Sequence, residues 1–568
     1  MQKCIIVEYL DIFNDEPSDI SQYLQNISHE TLIKCSLLFI ARKNETVRTY
    51  LRSYFNKDNN NYINSIWDRW ARNNIDNTDD YFITNTESSL RLYEYIIAHI
   101  DKSATTTISE QEVEINILKA YLLFNTSENA TDAIAEESTR HLTNKDKTYG
   151  LLLARMFKYF DIVNYNENKE LFVQTTKAIY LYKFLSENKD TQVVYSKYLE
   201  QYHCADWKDL MRHITTFAYI VFGKRDQRSY MQLDVAPSDN EFIKKCNIID
   251  NLTVNPENCE DIDFRKTRSQ PLYKITQGNY YVTYIYFLLE MIYKGVYFKL
   301  NDINSTLSDE SKIKYFRAYY CDIFSEGVLL YGVLKDVYGN KYIQKSGNYI
   351  KSTYKIDAEP DYYIRNGNKI FLFESKDILI PSEAKTSGDY SQILSELQKR
   401  LHYEKKKGKI TPKAILQLLN NAKKIISNTA EWDSNYKSHN VRIYPIIILH
   451  DNIYNCPGIQ YLVSKWYSEE LAQIKETYDT TRLCPITIIN IDTFIVFKEQ
   501  LKCNSLENLI EEYHRYTTTD FNLEGMTEDD ILTEYSKRMI SFEYYLMHKF
   551  KPDYNKLIKE IVMEYIDE

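Results

Sequence analysis

The chain has 568 residues and a formal net charge of −10 at neutral pH. This length predicts two or three domains, and the acidic balance excludes a protein coated uniformly with positive charge, so any contact with nucleic acid should be a local basic patch. Nine cysteines occur singly, which argues against the usual paired spacing of zinc ligands and favours reduced thiols in a cytoplasmic protein. No apolar run is long enough to predict a membrane span, so we expect no membrane partner.

The sequence pattern of residues 1–225 predicts a large all-α region. Apolar residues recur there at helical spacing, and the stretches between them are polar and rich in Asn and Asp, as in loops and helix caps. We expect a sensing or assembly domain, through which the chain forms a homo-oligomer or binds a partner protein. The predicted helices are Ile20–Ile27, Glu30–Ala41, Glu87–Ile100, Val113–Phe124, Glu170–Ser186 and Trp207–Phe222.

Residues 226–263 are polar and contain two prolines, which predicts a linker between domains. The next predicted domain, 264–500, opens with a hairpin over Pro271–Ile285 that turns at Gln277-Gly278 and leads into a helix over Tyr286–Tyr293. A longer amphipathic helix is predicted over Ser308–Leu334. Residues 501–568 predict a helical C-terminal extension.

The stretch Asp357–Lys376 predicts a β-hairpin, preceded by a strand over Tyr349–Ile356. Asn366-Gly367 between two apolar runs favours a type I′ turn. With these two residues as the loop, Asp361 pairs with Leu372.

Residues that are directly opposed, or two apart on one strand, share a face of the sheet. The predicted hairpin therefore places Asp361, Glu374 and Lys376 on one side, with Asp361 diagonal to Glu374. Two carboxylates this close repel unless a cation or a proton lies between them. Oxygen ligands select a hard cation such as Mg²⁺, and a neighbouring lysine can orient or deprotonate a water molecule. The pattern is typical of phosphodiester hydrolysis.

At these residues the chain resembles the PD-(D/E)xK nuclease superfamily, the restriction-endonuclease-like phosphodiesterases. Pro360-Asp361 matches the PD element and Glu374-Ser375-Lys376 matches (D/E)xK. The resemblance implies that Asp361 and Glu374 bind Mg²⁺ or Mn²⁺, that the backbone carbonyl of Ser375 adds a ligand, and that Lys376 positions the attacking water.

The tripeptide alone is not diagnostic, because Glu310-Ser311-Lys312 repeats its letters at a predicted helix start. The alternative for the predicted hairpin is a solvent-facing ribbon carrying ordinary charges.

The resemblance also implies two supporting residues. The helix before the core sheet often supplies a third acidic residue to the metal, and Glu326 resembles it; the alternative is a surface glutamate at the edge of the apolar stripe. Several branches place a glutamine in the helix after the hairpin, and Gln417 resembles it. The tyrosine that often follows is Asn421 here, which leaves the assignment of Gln417 open.

The remaining elements complete an αβββαβ order over Ser308–His450, which the resemblance implies is a restriction-endonuclease-like core. The fold class is therefore α+β and multidomain. After Lys376 we predict an insertion over Asp377–Lys409, which contains a helix. The other predicted elements are helices over Asp389–Glu404 and Thr411–Ser427, strands over Val441–His450 and Cys484–Ile491, and a helix from Thr493.

A basic run follows the predicted site. Twelve Lys and Arg against five Asp and Glu lie between Lys385 and Arg442, and such a cluster binds phosphates without regard to sequence. The alternative is a solvated helix end. The candidate nucleic-acid-binding residues are Lys405, Lys406, Lys407, Lys409 and Lys413.

We therefore expect a Mg²⁺-dependent nuclease, most simply a DNA endonuclease. Members of the superfamily with large appended domains often act in bacterial anti-phage defence or restriction, and the resemblance implies such a role. The alternative is a scaffold that binds nucleic acid without cleaving it, or an effector-sensing interaction protein.

Overall fold

The chain folds into two compact units of mixed α+β structure, which confirms the predicted fold class at that level. The division does not follow the predicted boundaries, since each unit is assembled from separate stretches. The first unit comprises 1–133, 193–303 and 565–568, and the second comprises 134–192 and 304–564. The computed structural model describes residues 5–42, 45–74, 81–224, 229–256, 259–519 and 524–565.

The first unit is largely helical, as predicted for residues 1–225. Capping side chains explain where several helices begin: Ser28, Asn85 and Asp206 each accept a hydrogen bond from a backbone N–H of the following turn. Its helices are Tyr9–Ile12, Ile20–Leu24, His29–Ala41, Val47–Tyr54, Lys57–Asn74, Thr86–His99, Glu110–Thr139, Gln192–Gln201, Trp207–Gly223, Phe242–Asp250, Arg265–Ser269, Ile285–Glu290 and Lys294–Thr306, of which three continue into or from the second unit.

A three-stranded antiparallel sheet lies in the same unit, formed by Met231–Asp234, Leu272–Thr276 and Asn279–Val282. The predicted hairpin turn at Gln277-Gly278 is confirmed, and Gly278 has the positive φ of +88° that such a turn needs. The described part of the stretch predicted as a linker, 229–256 and 259–263, supplies the first of these strands and a helix, Phe242–Asp250, so these elements belong to the first unit. A two-residue parallel pair joins Ile5–Ile6 and Tyr81–Phe82.

The second unit is built on a five-stranded sheet whose strands lie side by side in chain order. The first three strands are antiparallel, and the last three are parallel. β4 reads as a continuous apolar run because all of it except Arg442 is buried. The strands are β1 (Ile343–Ser346), β2 (Tyr362–Asn366), β3 (Lys369–Lys376), β4 (Arg442–Leu449) and β5 (Thr487–Asn490).

Helices cover both faces of this sheet. On one face, Ile370 and Leu372 of β3 belong to a core shared with α3 (Tyr390–Leu401), α4 (Ala414–Ile426) and α5 (Ile459–Ile474). On the other face, Phe371 stacks on Tyr444 with ring centroids 5.0 Å apart, and Phe373 meets Phe494 edge-on. Because side chains alternate along a strand, Glu374 and Lys376 lie on the face that α3, α4 and α5 cover.

The helix that precedes the sheet differs from the prediction. It starts at Phe316 rather than Ser308, and the segment from Tyr320 to Leu330 has π-helical hydrogen bonding between two α-helical ends. We call the whole of 316–338 α1. π-helical turns are rare and are frequently found at functional sites.

The prediction of a strand over Tyr349–Ile356 is wrong. A helix, α2 (Gly347–Tyr354), occupies this stretch, and the strand before the hairpin is β1. Ser346 caps the helix by accepting a hydrogen bond from the N–H of Tyr349, a local interaction that competes with an extended chain.

Between α3 and α4 the chain forms an exposed hairpin, Tyr403–Lys406 paired with Lys409–Pro412, where the predicted helices end at Glu404 and resume at Thr411 with no element between them. No helix in the described part of the chain combines the length and the apolar character needed to traverse a bilayer. The remaining helices of the second unit are Asn144–Phe157, Phe160–Val163, Glu167–Glu187, Ser382–Thr386, Ile491–Val496, Lys498–Cys503, Leu506–Thr518, Glu528–Arg538, Phe542–Phe550 and Tyr554–Tyr565.

Candidate functional site

The β2–β3 hairpin brings the predicted acids together in a register that differs from the prediction. The turn is Gly367-Asn368 rather than Asn366-Gly367, since Asn366 pairs with Lys369. Leu372 therefore faces Tyr363, and the ladder ends with Tyr362 facing Phe373. Extended by one more pair, the same register places Asp361 opposite Glu374 instead of diagonal to it. The shift is two residues in the pairing, so the predicted face of each side chain is preserved.

Two hydrogen bonds tie the motif together. The backbone N–H of Ser375 donates to Oδ2 of Asp361 at 2.7 Å, and Nζ of Lys376 donates to Oε1 of Glu374 at 2.6 Å. Glu374 is only 1% exposed, and its Oε2 has no hydrogen-bond partner among the described residues. A buried carboxylate oxygen without a partner is costly and points to a missing cation, proton or water.

Gly347 holds the backbone at Asp361. Its N–H donates to the carbonyl of Asp361 at 2.8 Å. A Cβ at this position would lie 3.0 Å from the carbonyl oxygen of Pro360 and 3.1 Å from that of Asp361. A side chain at this position would push the Pro360 and Asp361 backbone away by a few tenths of an ångström, so the position of the Asp361 carboxylate depends on a residue that the motif does not include.

Glu326 lies on the π-helical part of α1. Its Oε1 accepts a hydrogen bond from the hydroxyl of Tyr331 at 2.8 Å. Burial, the charge of Asp361 and the charge of Asp322 raise its pKa to about 8, against the opposing effects of Tyr331 and Lys376. The charge of Asp361 therefore acts on Glu326, while the hydrogen bond of Glu326 goes to Tyr331.

The motif residues share one electrostatic environment. Burial, with the charges of Asp361 and Glu326, raises the pKa of Glu374 to about 8, although Lys376 opposes the shift. Burial also raises the pKa of Asp361, against Lys376 and the Ser375 N–H. Burial would lower the pKa of Lys376, but Glu374, Asp361 and Glu326 outweigh it and raise that pKa. Three carboxyls facing one ammonium group thus hold an extra proton near neutral pH.

These shifts predict a dependence of stability on pH. The raised carboxyls bind protons in the folded protein at pH values where the unfolded chain has released them, so the free energy of unfolding falls as pH rises from about 5 to 8. We expect Glu374→Gln to flatten this fall by on the order of 1 kcal/mol or more, the equivalent of one pKa unit. Urea denaturation midpoints at pH 5.5 and 8 measure the effect. The exposed Glu383→Gln is the control, and an unchanged fall in the Glu374 variant would contradict the prediction.

Asp361 and Glu374 fit a hard divalent cation. Mg²⁺ in proteins is typically held by one or two carboxylates and retains several waters. The unpartnered Oε2 of Glu374 is an available ligand atom. The carbonyl of Ser375 points toward Asp361, because the N–H and C=O of a strand residue point the same way. The described residues contain no group of three or more His, Cys, Asp or Glu side chains able to hold a metal, so Glu326 is not joined to the pair as a third ligand.

A second polar group lies behind the motif and was missed by the sequence analysis. Asp377 accepts hydrogen bonds from Arg317 and Ser325 of α1, both at 2.7 Å. Burial would raise the pKa of Asp377, but Arg317, His450 and Ser325 outweigh it and lower that pKa. This carboxylate therefore fastens α1, which carries Glu326, to the end of β3.

His450 belongs to the same group. The Ser375 hydroxyl and His450 Nε2 are 2.9 Å apart, on the face of β3 opposite Glu374. Burial lowers the pKa of His450 to about 4, so the ring is neutral at pH 7. The feature that brings His450 to this group is the parallel pairing of β3 and β4. Lys376 and Leu449 lie side by side at the ends of these strands, so the residues that follow them, Asp377 and His450, are neighbours.

The other predicted site residues lie outside the motif. Gln417 is half-buried on α4 and makes no side-chain hydrogen bond among the described residues, whereas Asn421, one turn later, is 2% exposed with an unpartnered Oδ1. The basic residues Lys405, Lys406, Lys407 and Lys409 lie on the exposed hairpin, and Lys413 follows it.

Comparisons with protein-family models, with curated proteins and with solved structures found no match for this chain.

Proposed function

We propose that the chain is a Mg²⁺-dependent nuclease that hydrolyses DNA phosphodiester bonds. The observation that carries this proposal is the grouping of three side chains: Asp361, just before β2, accepts the N–H of Ser375 at 2.7 Å, and the neighbouring Glu374 accepts a hydrogen bond from Nζ of Lys376 at 2.6 Å. The order of α1, β1, β2, β3, α4 and β4 also supports it, because these elements follow each other as in the restriction-endonuclease-like core, with α2 inserted after β1 and two helices and a hairpin inserted after β3.

Lys376 acts as a cation in this proposal. Its raised pKa keeps the ammonium charged at neutral pH, so it donates hydrogen bonds to the attacking water or to the phosphate oxygen on which negative charge develops. Removal of the water proton by Lys376 is disfavoured for the same reason.

Asp361 and Glu374, with the carbonyl of Ser375, would hold the cation. When bound, a divalent cation polarises the phosphate and lowers the pKa of a coordinated water. The two carboxyls must be ionised to bind it, so the extra proton of the cluster leaves on binding, and the affinity for the cation rises with pH toward about 8.

The wider context follows from the same resemblance. We propose a cytoplasmic protein of anti-phage defence or restriction, in which the helical first unit senses an effector or forms an assembly. The basic hairpin after α3 supplies a surface for the substrate phosphates.

The test is cleavage of supercoiled plasmid DNA by the full chain with Mg²⁺ or Mn²⁺, compared with Ca²⁺ and with EDTA. We expect nicked and linear products only with the first two cations. DNA binding without turnover under any of these cations would replace the proposal with the alternative of a non-catalytic scaffold, which the basic hairpin also favours.

A further inference from the structure

The hairpin between α3 and α4 is a solvent-exposed two-stranded ribbon. Its ladder pairs Lys406 with Lys409 and Tyr403 with Pro412, and every residue from 405 to 412 is exposed. Lys407 and Gly408 form the tip, with φ of +49° and +80°, as in a type I′ turn. An isolated hairpin of this size is marginally stable alone, so its base must be anchored.

The base of the hairpin is well anchored. The N–H of Lys413 donates to the carbonyl of His402 at 3.0 Å. His402 is 4% exposed, lies 2.9 Å from Oε1 of Glu470 and stacks on Trp466 of α5. Buried contacts at its base thus hold in place a ribbon whose own residues are almost all exposed.

The positive charges of the ribbon are largely unneutralised. Glu404 is its one acidic residue and already pairs with Lys406 and Lys413, at 2.7 Å and 3.4 Å. Lys405, Lys407 and Lys409 make no ion pair in the described part of the chain. Like charges directly opposite each other destabilise a hairpin, so this arrangement is suited to a polyanionic partner.

The lysines project from both faces of the ribbon. Lys405 shares one face with Ile410, while Lys406 and Lys409 share the other, and Lys407 is at the tip. A groove of a double helix is bordered by two phosphate backbones, whereas a single strand offers only one. B-form DNA admits a two-stranded β-ribbon into its major groove.

The ribbon is also placed within reach of the candidate site. It leads directly into α4, whose 13 residues span about 20 Å. Near the far end of α4, Nζ of Lys424 donates to the carbonyl of Ala358, three residues before Asp361, at 3.0 Å. About 20 Å corresponds to roughly six base pairs of duplex.

From this geometry we infer that the ribbon 403–412 docks into a groove of double-stranded DNA, and that the substrate of the proposed nuclease is a duplex. Only the claim that the duplex is a substrate rests on the proposed function. The docking of the ribbon itself needs no catalysis. A different explanation of the lysines is that they protect the open edges of the hairpin from pairing with other strands.

The test measures how tightly the full chain binds a labelled 20-base-pair DNA duplex. Binding is monitored by fluorescence anisotropy in EDTA at several salt concentrations. The variant replaces Lys405, Lys407 and Lys409 with glutamine, and its matched control replaces the exposed Lys475, Lys551 and Lys559. We expect the variant to bind the duplex at least tenfold more weakly than the control. The slope of log K against log salt should be smaller by about 2.7 for three lost phosphate contacts.

Two further probes, the single strand of the same sequence and the matching RNA duplex, should bind the wild type at least tenfold more weakly than the DNA duplex. Equal binding by the variant and the control overturns the inference, as does a preference for single-stranded DNA or for RNA. Aggregation of the variant with unchanged affinity assigns the lysines to edge protection and also overturns it. Loss of plasmid cleavage with intact duplex binding would instead remove the proposed function and leave the docking standing.

Discussion

Lys376→Met should lower the rate of Mg²⁺-dependent plasmid cleavage by about 100- to 1000-fold, the usual effect of removing one donor aimed at developing negative charge. The substitution keeps the length of the side chain and removes the ammonium that lies 2.6 Å from Glu374. Glu374 then keeps its proton to a higher pH, so the fold should survive while the chemistry does not. Initial rates at saturating Mg²⁺ measure the loss.

Asp361→Asn tests the other half of the same arrangement. The amide oxygen can still accept the N–H of Ser375, whose bond to Asp361 is 2.7 Å long, so the local structure should persist. The lost charge should lower the rate at least as much as Lys376→Met, and added Mg²⁺ should recover part of it.

The chain contains its own control for these variants. Glu310-Ser311-Lys312 has the same three residues, and Lys312 is exposed in a bend before α1, outside any strand. Lys312→Met should leave the rate unchanged. Cleavage at the wild-type rate by both Lys376→Met and Asp361→Asn would show that the hairpin motif has no catalytic role.

Lys169→Met should destabilise the fold by about 3–5 kcal/mol, because removing one partner of a buried ion pair leaves the opposite charge buried alone. Lys169 is 4% exposed and pairs with Glu543; its Nζ also lies 3.9 Å from Oε1 of Glu170 and from Oδ2 of Asp492. Lys177 pairs with Asp492 in the same network. These residues join the helix Glu167–Glu187 to the segment after β5 and to the helix Phe542–Phe550.

Urea denaturation of the full chain measures the loss. The exposed pair Lys537–Glu534 provides the control: its N–O distance of 2.6 Å is as short as that of a strong ion pair, but Lys537→Met should cost less than about 1 kcal/mol in solvent. The double variant Lys169→Met, Glu543→Gln should regain part of the stability, since it removes the isolated charge. A loss below about 1 kcal/mol for Lys169→Met alone would contradict a stabilising role for the network.

The hairpin that carries the motif could be predicted because its signals are local. Asn366-Gly367-Asn368 contains two overlapping turn dipeptides, Asn-Gly and Gly-Asn, and both predict a two-residue loop. Moving the loop by one position changes the pairing by two residues, so the face of Asp361 survived an error in the register. β4 could be predicted for a similar reason, since a strand buried on both sides needs an unbroken apolar run.

The residues around the motif could not be predicted because their partners are distant in sequence. Asp377 meets Arg317 across 60 residues, and neither belongs to a motif. The helix α2 was mistaken for a strand because Tyr, Ile and Thr favour strands in isolation, whereas the Ser346 cap and the close approach of Gly347 to Asp361 favour a helix there. The strands of the lysine-rich ribbon were not predicted: the two predicted helices, Asp389–Glu404 and Thr411–Ser427, overlap its ends, and the run between them was interpreted as a basic patch without the turn at Lys407-Gly408.

The π-helical segment of α1 limits where insertions and deletions can be tolerated in this protein. In an α-helix each residue advances the rotation by about 100°, so gaining or losing one residue between Tyr320 and Phe324 would rotate Arg317 out of phase with Ser325 and Glu326, and Arg317 could no longer reach Asp377 while Glu326 stays at the acids. The π-helical turns accommodate an extra residue, which therefore sets the angle about the helix axis between Arg317, which binds Asp377, and Glu326, which lies near the acids. Homologous chains that keep the site should hold this segment at constant length, while the tip of the ribbon 403–412 is free to lengthen or shorten.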